Sequence, residues 1–189
     1  MDSDFANWRL TSVTTAKGKS AIISDSNCEP IKIDTQTFLR CPYNAGSFDP
    51  HELVRWNLDL ACSDELRDFL YRLDDWVIEE LAKDQSYFKK KVSKEDIRLC
   101  LKPSCTQHEK DGIVYSPTIR CKINMAGPRE VKCWSMDKNK ITPPEDWRRC
   151  TCRAIIIPKN VWFMAQNDIG VCFEIHNCVL NEMDDTCPF

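Results

Sequence analysis

Between Pro117 and Ile123 the side chains alternate with a period of two: Ile119, Cys121 and Ile123 to one side, Thr118, Arg120 and Lys122 to the other. Successive side chains of a strand point to opposite faces, so this spacing fits a half-buried β-strand and no helix. The pattern returns twice downstream. Val131, Cys133 and Ser135 oppose Lys132, Trp134 and Met136, and from Arg149 to Ile157 the residues Cys150, Cys152, Ala154 and Ile156 oppose Arg149, Thr151 and Arg153. Three strands that each turn cations away from the core predict a sheet with one dry face and one basic, solvated face.

The rest of the chain supplies more strands and two helices. Short alternating runs at Trp8–Ser12, Ala21–Ile23, Ile31–Ile33 and Arg55–Leu60 are punctuated by Gly18, Pro30, Pro42, Gly46 and Pro50, which reads as strands and turns. Leu66, Phe69, Leu70, Leu73, Trp76, Val77 and Leu81 recur at spacings of three and four, predicting a long amphipathic helix over about 63–83 with Ser63 as its N-cap. The acids opposite that stripe, Asp74-Asp75 and Glu79-Glu80 among them, are expected on its solvated face. Ser93 with Asp96 forms a capping box that opens a short helix over about 94–101, closed by Pro103. Residues 104–114 read as a loop helped by Asp111-Gly112, and the runs Val161–Met164 and Val171–Ile175 flank Gln166-Asn167-Asp168-Ile169-Gly170, a hairpin signal. The fold class is mainly β with helical insertions (α+β). There is no repeat, no low-complexity tract and no linker long enough for two domains. One domain is expected over 1–180, with the helices inserted at 63–103 and an acidic tail over 181–189.

Several function classes find little support. Gly18-Lys19-Ser20 mimics the end of a phosphate-binding loop, but Val13 stands where the leading glycine belongs. No metalloprotease or nucleophile-elbow motif occurs, and His51, His108 and His176 lack motif partners. No enzyme and no cofactor is expected. The twelve cysteines are scattered; Cys100, Cys105 and His108 come nearest to a ligand set, without zinc-site spacing. Free buried thiols in a reducing, intracellular compartment are the expectation. No apolar run approaches the ~20 residues that span a bilayer, and the acidic start Met1-Asp2-Ser3-Asp4 is unlike a secretory signal.

Net charge is −3, yet its distribution is uneven. Residues 83–122 carry ten Lys and Arg against five Asp and Glu, whereas the long helix carries seven acids against two arginines. Cations follow phosphates, and an exposed ring offers an unpaired base something to stack on. The candidate contacts are therefore Lys89, Lys90 and Lys91 beside Tyr87 and Phe88; Lys102 at the close of the short helix; Arg120 and Lys122; Lys132 with Trp134; Arg148 and Arg149 beside Trp147; and Arg153. The plainer alternative is that solvated strand faces carry Lys and Arg anyway, and that Trp147 tucks into the core. At the other end, Asp184, Asp185 and Phe189 form an acidic tip able to dock a partner pocket.

The order of these pieces resembles a known family. An acidic helix leads into Tyr87-Phe88-Lys89-Lys90-Lys91 and a Ser-Lys-Glu helix start. A Tyr-x-Pro-Thr-Ile-Arg-x-Lys-Ile strand at 115–123, an Ile-Pro-x-x-Val-Trp strand end at 157–162 and the Gly170 hairpin follow. The chain is similar over roughly 55–180 to the single-stranded-DNA-binding proteins of large eukaryotic DNA viruses, of the African swine fever virus and algal-virus type. That resemblance implies an oligonucleotide/oligosaccharide-binding (OB-like) antiparallel β-barrel without catalysis. It also implies binding of single-stranded DNA in replication, recombination or repair, at a nuclear or cytoplasmic site of viral replication. It assigns Arg120, Lys122 and Lys89–Lys91 to DNA. The tail is similar to the acidic Pro-Phe tips of bacterial single-strand-binding proteins, which recruit replication partners. RNA as an alternative strand, self-association and the role of the cysteines stay open. The competing reading is an interaction module of a replication or structural assembly, using the acidic helix and tail without touching nucleic acid.

Overall fold

The long helix and the strands at 118–124 and 132–134 form where the two periodicities put them. The computed structural model describes residues 5–15, 18–88, 90–164 and 168–182. In chain order the elements are β1 (Trp8–Thr15), β2 (Gly18–Asp25), β3 (Ile33–Asp34), β4 (Leu39–Arg40), β5 (Arg55–Ala61), α1 (Asp64–Lys83) and α2 (Lys94–Cys100). Next come β6 (Glu109–Lys110), β7 (Ile113–Val114), β8 (Thr118–Asn124), β9 (Lys132–Trp134), β10 (Lys140–Ile141), β11 (Cys150–Phe163) and β12 (Ile169–Glu182). The class is α+β and OB-like. The hydrogen-bonded path β1-β2-β11-β12-β8-β5 is open, so the sheet does not close into the expected barrel. No helix among the described residues is long and apolar enough to cross a membrane. The chain divides into two compact units, and β11 and β12 run through both.

The first unit comprises Met1–Ile31, Asp64–Thr106 and Pro158–Phe173. There β1 pairs antiparallel with β2, and β2 with the far end of β11, Ile22 lying across from Asn160. The stripe of α1 is its core: Leu66, Phe69, Leu70, Leu73, Val77 and Leu81 are all buried. Phe5 stacks on Phe69 and Trp76, and Trp8 meets Trp76 edge-on. The capping box forms as the sequence predicts. Ser93 Oγ accepts from Asp96 N, and Asp96 Oδ2 accepts from Ser93 N. Lys94 and Arg98 of α2 reach back to Glu79 and Asp75 of α1. At Gly170 a Cβ would come within 2.3 Å of the Trp162 ring, which leaves room only for glycine.

One carboxylate departs from its expected place. Asp74 is buried, not solvated, because Ser104 closes over it. Ser104 donates its backbone N–H to Oδ2 at 2.9 Å and its hydroxyl to Oδ1 at 2.5 Å. Burial pushes the Asp74 carboxyl up to about 6 in spite of these donors. An acid with a raised folded-state pKa contributes stability below about pH 4, where it is protonated folded and unfolded, and loses that contribution as pH rises through 6. Asp74→Asn should therefore stabilise the chain at pH 7 by about 2–3 kcal/mol relative to its effect at pH 4. Denaturant titrations of both proteins at the two pH values check this; a pH-independent difference would contradict it.

The second unit comprises Lys32–Ser63, Gln107–Ile157 and Glu174–Phe189. β5 and β8 pair antiparallel over seven residues, from Arg55↔Asn124 to Ala61↔Thr118. β8 neighbours β12, whose later part pairs in parallel with β9, and β9 forms a hairpin with β10. β3 and β4 lie along the first half of β11. β6 and β7 form a separate hairpin on Asp111-Gly112, both at positive φ, so the expected loop holds a two-residue turn that Asp-Gly suits. Glu174 is buried against Arg55 at 3.0 Å and His176 at 3.2 Å. Cys41, Cys121, Cys133, Cys150, Cys152 and Cys178 are all buried. Cys133 lies directly across from Cys178 with the sulfurs 3.6 Å apart. Burial pushes the Cys41 thiol up to about 12, and a protonated, buried thiol is a packing group rather than a nucleophile. Cys187 lies outside the described residues. Among the described residues no cluster of three His, Cys, Asp or Glu is placed to hold a metal.

The third alternating run differs in extent. Arg149 belongs to a single 3-10 turn, Trp147–Arg149, capped by Asp146, and the strand begins at Cys150. It then continues through Pro158 to Phe163 instead of stopping and restarting. Ile156, Ile157 and Pro158 are buried in succession, so the alternation changes phase there. A phase change at a residue without an N–H makes one strand look like two in sequence.

Candidate nucleic-acid interface

The register of β5 and β8 builds the site. Leu58, Leu60, Ile119, Cys121 and Ile123 face the core, so the residues between them share the opposite face. That sets Asp59 across from Arg120 and Asn57 across from Lys122. Asp59 accepts from both Nε and Nη2 of Arg120 at 2.8 Å, a two-point contact that fixes the plane of the guanidinium. Asp59 itself is almost buried, whereas the Arg120 side chain is 52% exposed. Lys122 donates from Nζ to Asn57 Oδ1 at 2.6 Å.

Residues 43–48 run alongside β5, bridged to it antiparallel at Gly46. Gly46 exchanges both backbone hydrogen bonds with Asn57, at 3.0 and 2.7 Å. Asn44 accepts from Trp147 N at 2.9 Å and donates to Glu145 O at 3.1 Å, which anchors the segment from its other side. With the backbone pinned at both points, its rings stay in solvent: Tyr43 is 48% exposed and Phe48 83%. The Phe48 ring lies 5.2 Å from the Arg120 guanidinium carbon. Together with Ser47 and His108, these residues enclose a cleft of about 430 Å³. That volume sits toward the lower end of the roughly 300–1,000 Å³ of ligand sites. A cleft with an exposed ring and a guanidinium held flat by a carboxylate suits a planar aromatic ligand, such as an unpaired base.

The other cations singled out in the sequence are distributed differently. Arg148 forks onto Asp146 and Arg153 onto Asp34, holding Asp146 down at about 2 and Asp34 below its ordinary range. Lys102 pairs with Asp168 at 3.1 Å. Arg149 also has a partner. Lys132 is exposed on the outer face of β9 beside a half-buried Trp134. Lys90 and Lys91 are exposed, but the rings next to them are not platforms: Tyr87 stacks on Phe163 at 5.5 Å and Phe88 meets it edge-on. Trp147 is fully buried, the plainer of its two expected places. Lys89, Asp184, Asp185 and Phe189 lie outside the described residues.

Sequence reasoning missed Tyr43 and Phe48, the rings that matter most to the cleft. The signal was there: Gly46-Ser47-Phe48-Asp49-Pro50 sets a large ring among turn formers, with no alternating apolar neighbour to bury it against.

No family model and no curated protein sequence matches the chain. Solved structures do. The single-stranded DNA-binding protein of bacteriophage Enc34, in complex with ssDNA, superposes with a TM-score of 0.50 at 13% identity, covering 94% of this chain and 97% of that one. Its C-terminally truncated form gives 0.47 at 13% identity, over 96% and 98% of the two chains. The single-stranded DNA-binding protein gp2.5 of bacteriophage T7 gives 0.42 at 11% identity, over 84% and 91%. The first likeness establishes the shared fold.

Proposed function

We propose that this protein binds single-stranded DNA with little regard to sequence. It would coat and protect the strand during viral-type replication, recombination or repair, as the resemblance to large-DNA-virus proteins implies. The observation that carries the reading is the open cleft in which Phe48 lies exposed over an Arg120 held flat by Asp59. Every base has a face that stacks, so a ring and a guanidinium plane bind without reading sequence. The fold shared with the phage protein solved on ssDNA supports the same reading. Lys122, Lys132, Lys90 and Lys91 are proposed to meet phosphates, with Lys89 next to Lys90 in sequence. Arg148, Arg153 and Lys102 keep a secondary place, since each already pairs with an aspartate, and Arg149, which also has a partner within the fold, joins them. Asp184, Asp185 and Phe189 are proposed to recruit a replication partner.

Titration of fluorescent oligo-dT with the wild type and with Arg120→Lys tests the cleft. Lysine keeps the charge and can still meet Asp59, but it offers no plane to a base. Arg120→Lys should bind ~10-fold more weakly at an unchanged salt slope. Wild-type affinity in Arg120→Lys would remove the cleft from the account, and a wild type that ignores oligo-dT would end it.

A further inference from the structure

We propose that the outer face of the β9–β10 hairpin is a second contact for the same DNA strand, a platform in which Trp134 stacks a base and Lys132, Lys138 and Lys140 hold the flanking phosphates. The inference rests on the single-stranded-DNA reading above. The register fixes the face. Trp134 lies across from Lys140 on β10 and from Val179 on β12, and Lys132 lies across from Asn177. Cys133, between them, pairs with Ile141 and Cys178 and is buried. Directly opposed residues share a face of the sheet. Lys132, Trp134 and Lys140 therefore stand together, opposite the core.

The loop adds a third cation. Ser135 N donates to Asn139 O at 2.9 Å and Lys138 N to Ser135 O at 3.0 Å, closing a tight connection in which Lys138 sits at φ +63° with its side chain exposed. Among the described residues no carboxylate pairs with Lys132, Lys138 or Lys140. Arg120, Arg148 and Arg153 each carry an aspartate. Those arginines each share their charge with an aspartate, Arg120 offering a ligand its plane, whereas among the described residues the three hairpin lysines have no such neighbour and face solvent. Lysine is a compact, hydrated point charge suited to phosphate oxygens. Lysines on both sides of a ring match the alternation of base and phosphate along an unpaired strand.

The test uses the full chain and a labelled dT oligonucleotide titrated across a salt series. Each phosphate neutralised contributes about 0.7 to the log–log slope for a single strand. The triple variant Lys132→Ala/Lys138→Ala/Lys140→Ala should show a slope shallower by about 2. Trp134→Leu should bind ~10-fold more weakly, and Trp134→Phe, which keeps a ring, should recover most of that loss. Trp134 is half-buried, so the triple variant, which alters exposed residues only, decides the matter if Trp134→Leu fails to fold. A wild type that binds while the triple variant keeps the full slope overturns this inference and the Lys132 contact, and leaves the cleft reading standing. A wild type without affinity for oligo-dT overturns it together with the reading beneath it.

Discussion

The double variant Tyr43→Ala/Phe48→Ala is expected to lose most of the affinity for single-stranded DNA. Each stacked ring contributes about 1–3 kcal/mol by alanine substitution, so the pair should weaken binding by about 2–6 kcal/mol, at least ~30-fold. Both rings are solvent-facing, and their backbone is fixed by Gly46 and Asn44 rather than by the rings themselves. Surface substitutions of this kind change stability by only about 0.5 kcal/mol, so a denaturant titration should find the fold intact. The salt slope should also stay where it is, because neither ring carries charge. Equilibrium titration of oligo-dT at two salt concentrations checks affinity and slope together. A loss below threefold would mean that the exposed rings are not the stacking surface.

The second large effect is on stability. Trp147 is fully buried, and Trp147→Ala should cost about 3–5 kcal/mol, a large part of what holds a small domain folded. Trp147→Phe should cost far less. The indole Nε1–H has no acceptor among the described residues, so a ring without that donor gives up packing volume but no hydrogen bond. The damage should reach the cleft, since Asn44 accepts from Trp147 N and donates to Glu145 O. Urea unfolding of the three proteins, followed by oligo-dT binding of whichever fold, checks both parts. Equal destabilisation by alanine and phenylalanine would contradict the packing argument.

Sequence and structure part ways at identifiable residues. Period-two alternation located β8 and β9 and the outward Arg120 and Lys122, because one residue of slip would move every side chain to the wrong face. The 3.6 period located α1, and Ser93 with Asp96 located α2. Periodicity says which face a cation occupies but not who sits beside it. Asp59, Asp146 and Asp34 are the partners of Arg120, Arg148 and Arg153, and of these only Asp146 is near its arginine in sequence. The long-range pairings depend on strand register, which a linear pattern does not display. For the same reason Asp74 reads as a surface acid until Ser104, thirty residues on, closes over it. Phe48 was hidden differently. A ring in a turn segment carries no period, and the anchoring of Asn44 and Gly46 leaves it in the open by Arg120.

The central claim is that an exposed ring over a fixed guanidinium receives unpaired bases. Competition between labelled oligo-dT and a matched duplex of equal length, repeated over a salt series, tests it most directly. Bases stacked and paired within a duplex cannot reach Phe48 or Tyr43, so oligo-dT should bind at least ~5-fold more tightly, the least that a single stacked base contributes. Both affinities should fall with salt as counterions are released. Equal affinity for the two ligands, or binding of oligo-dT that ignores salt, would contradict the account.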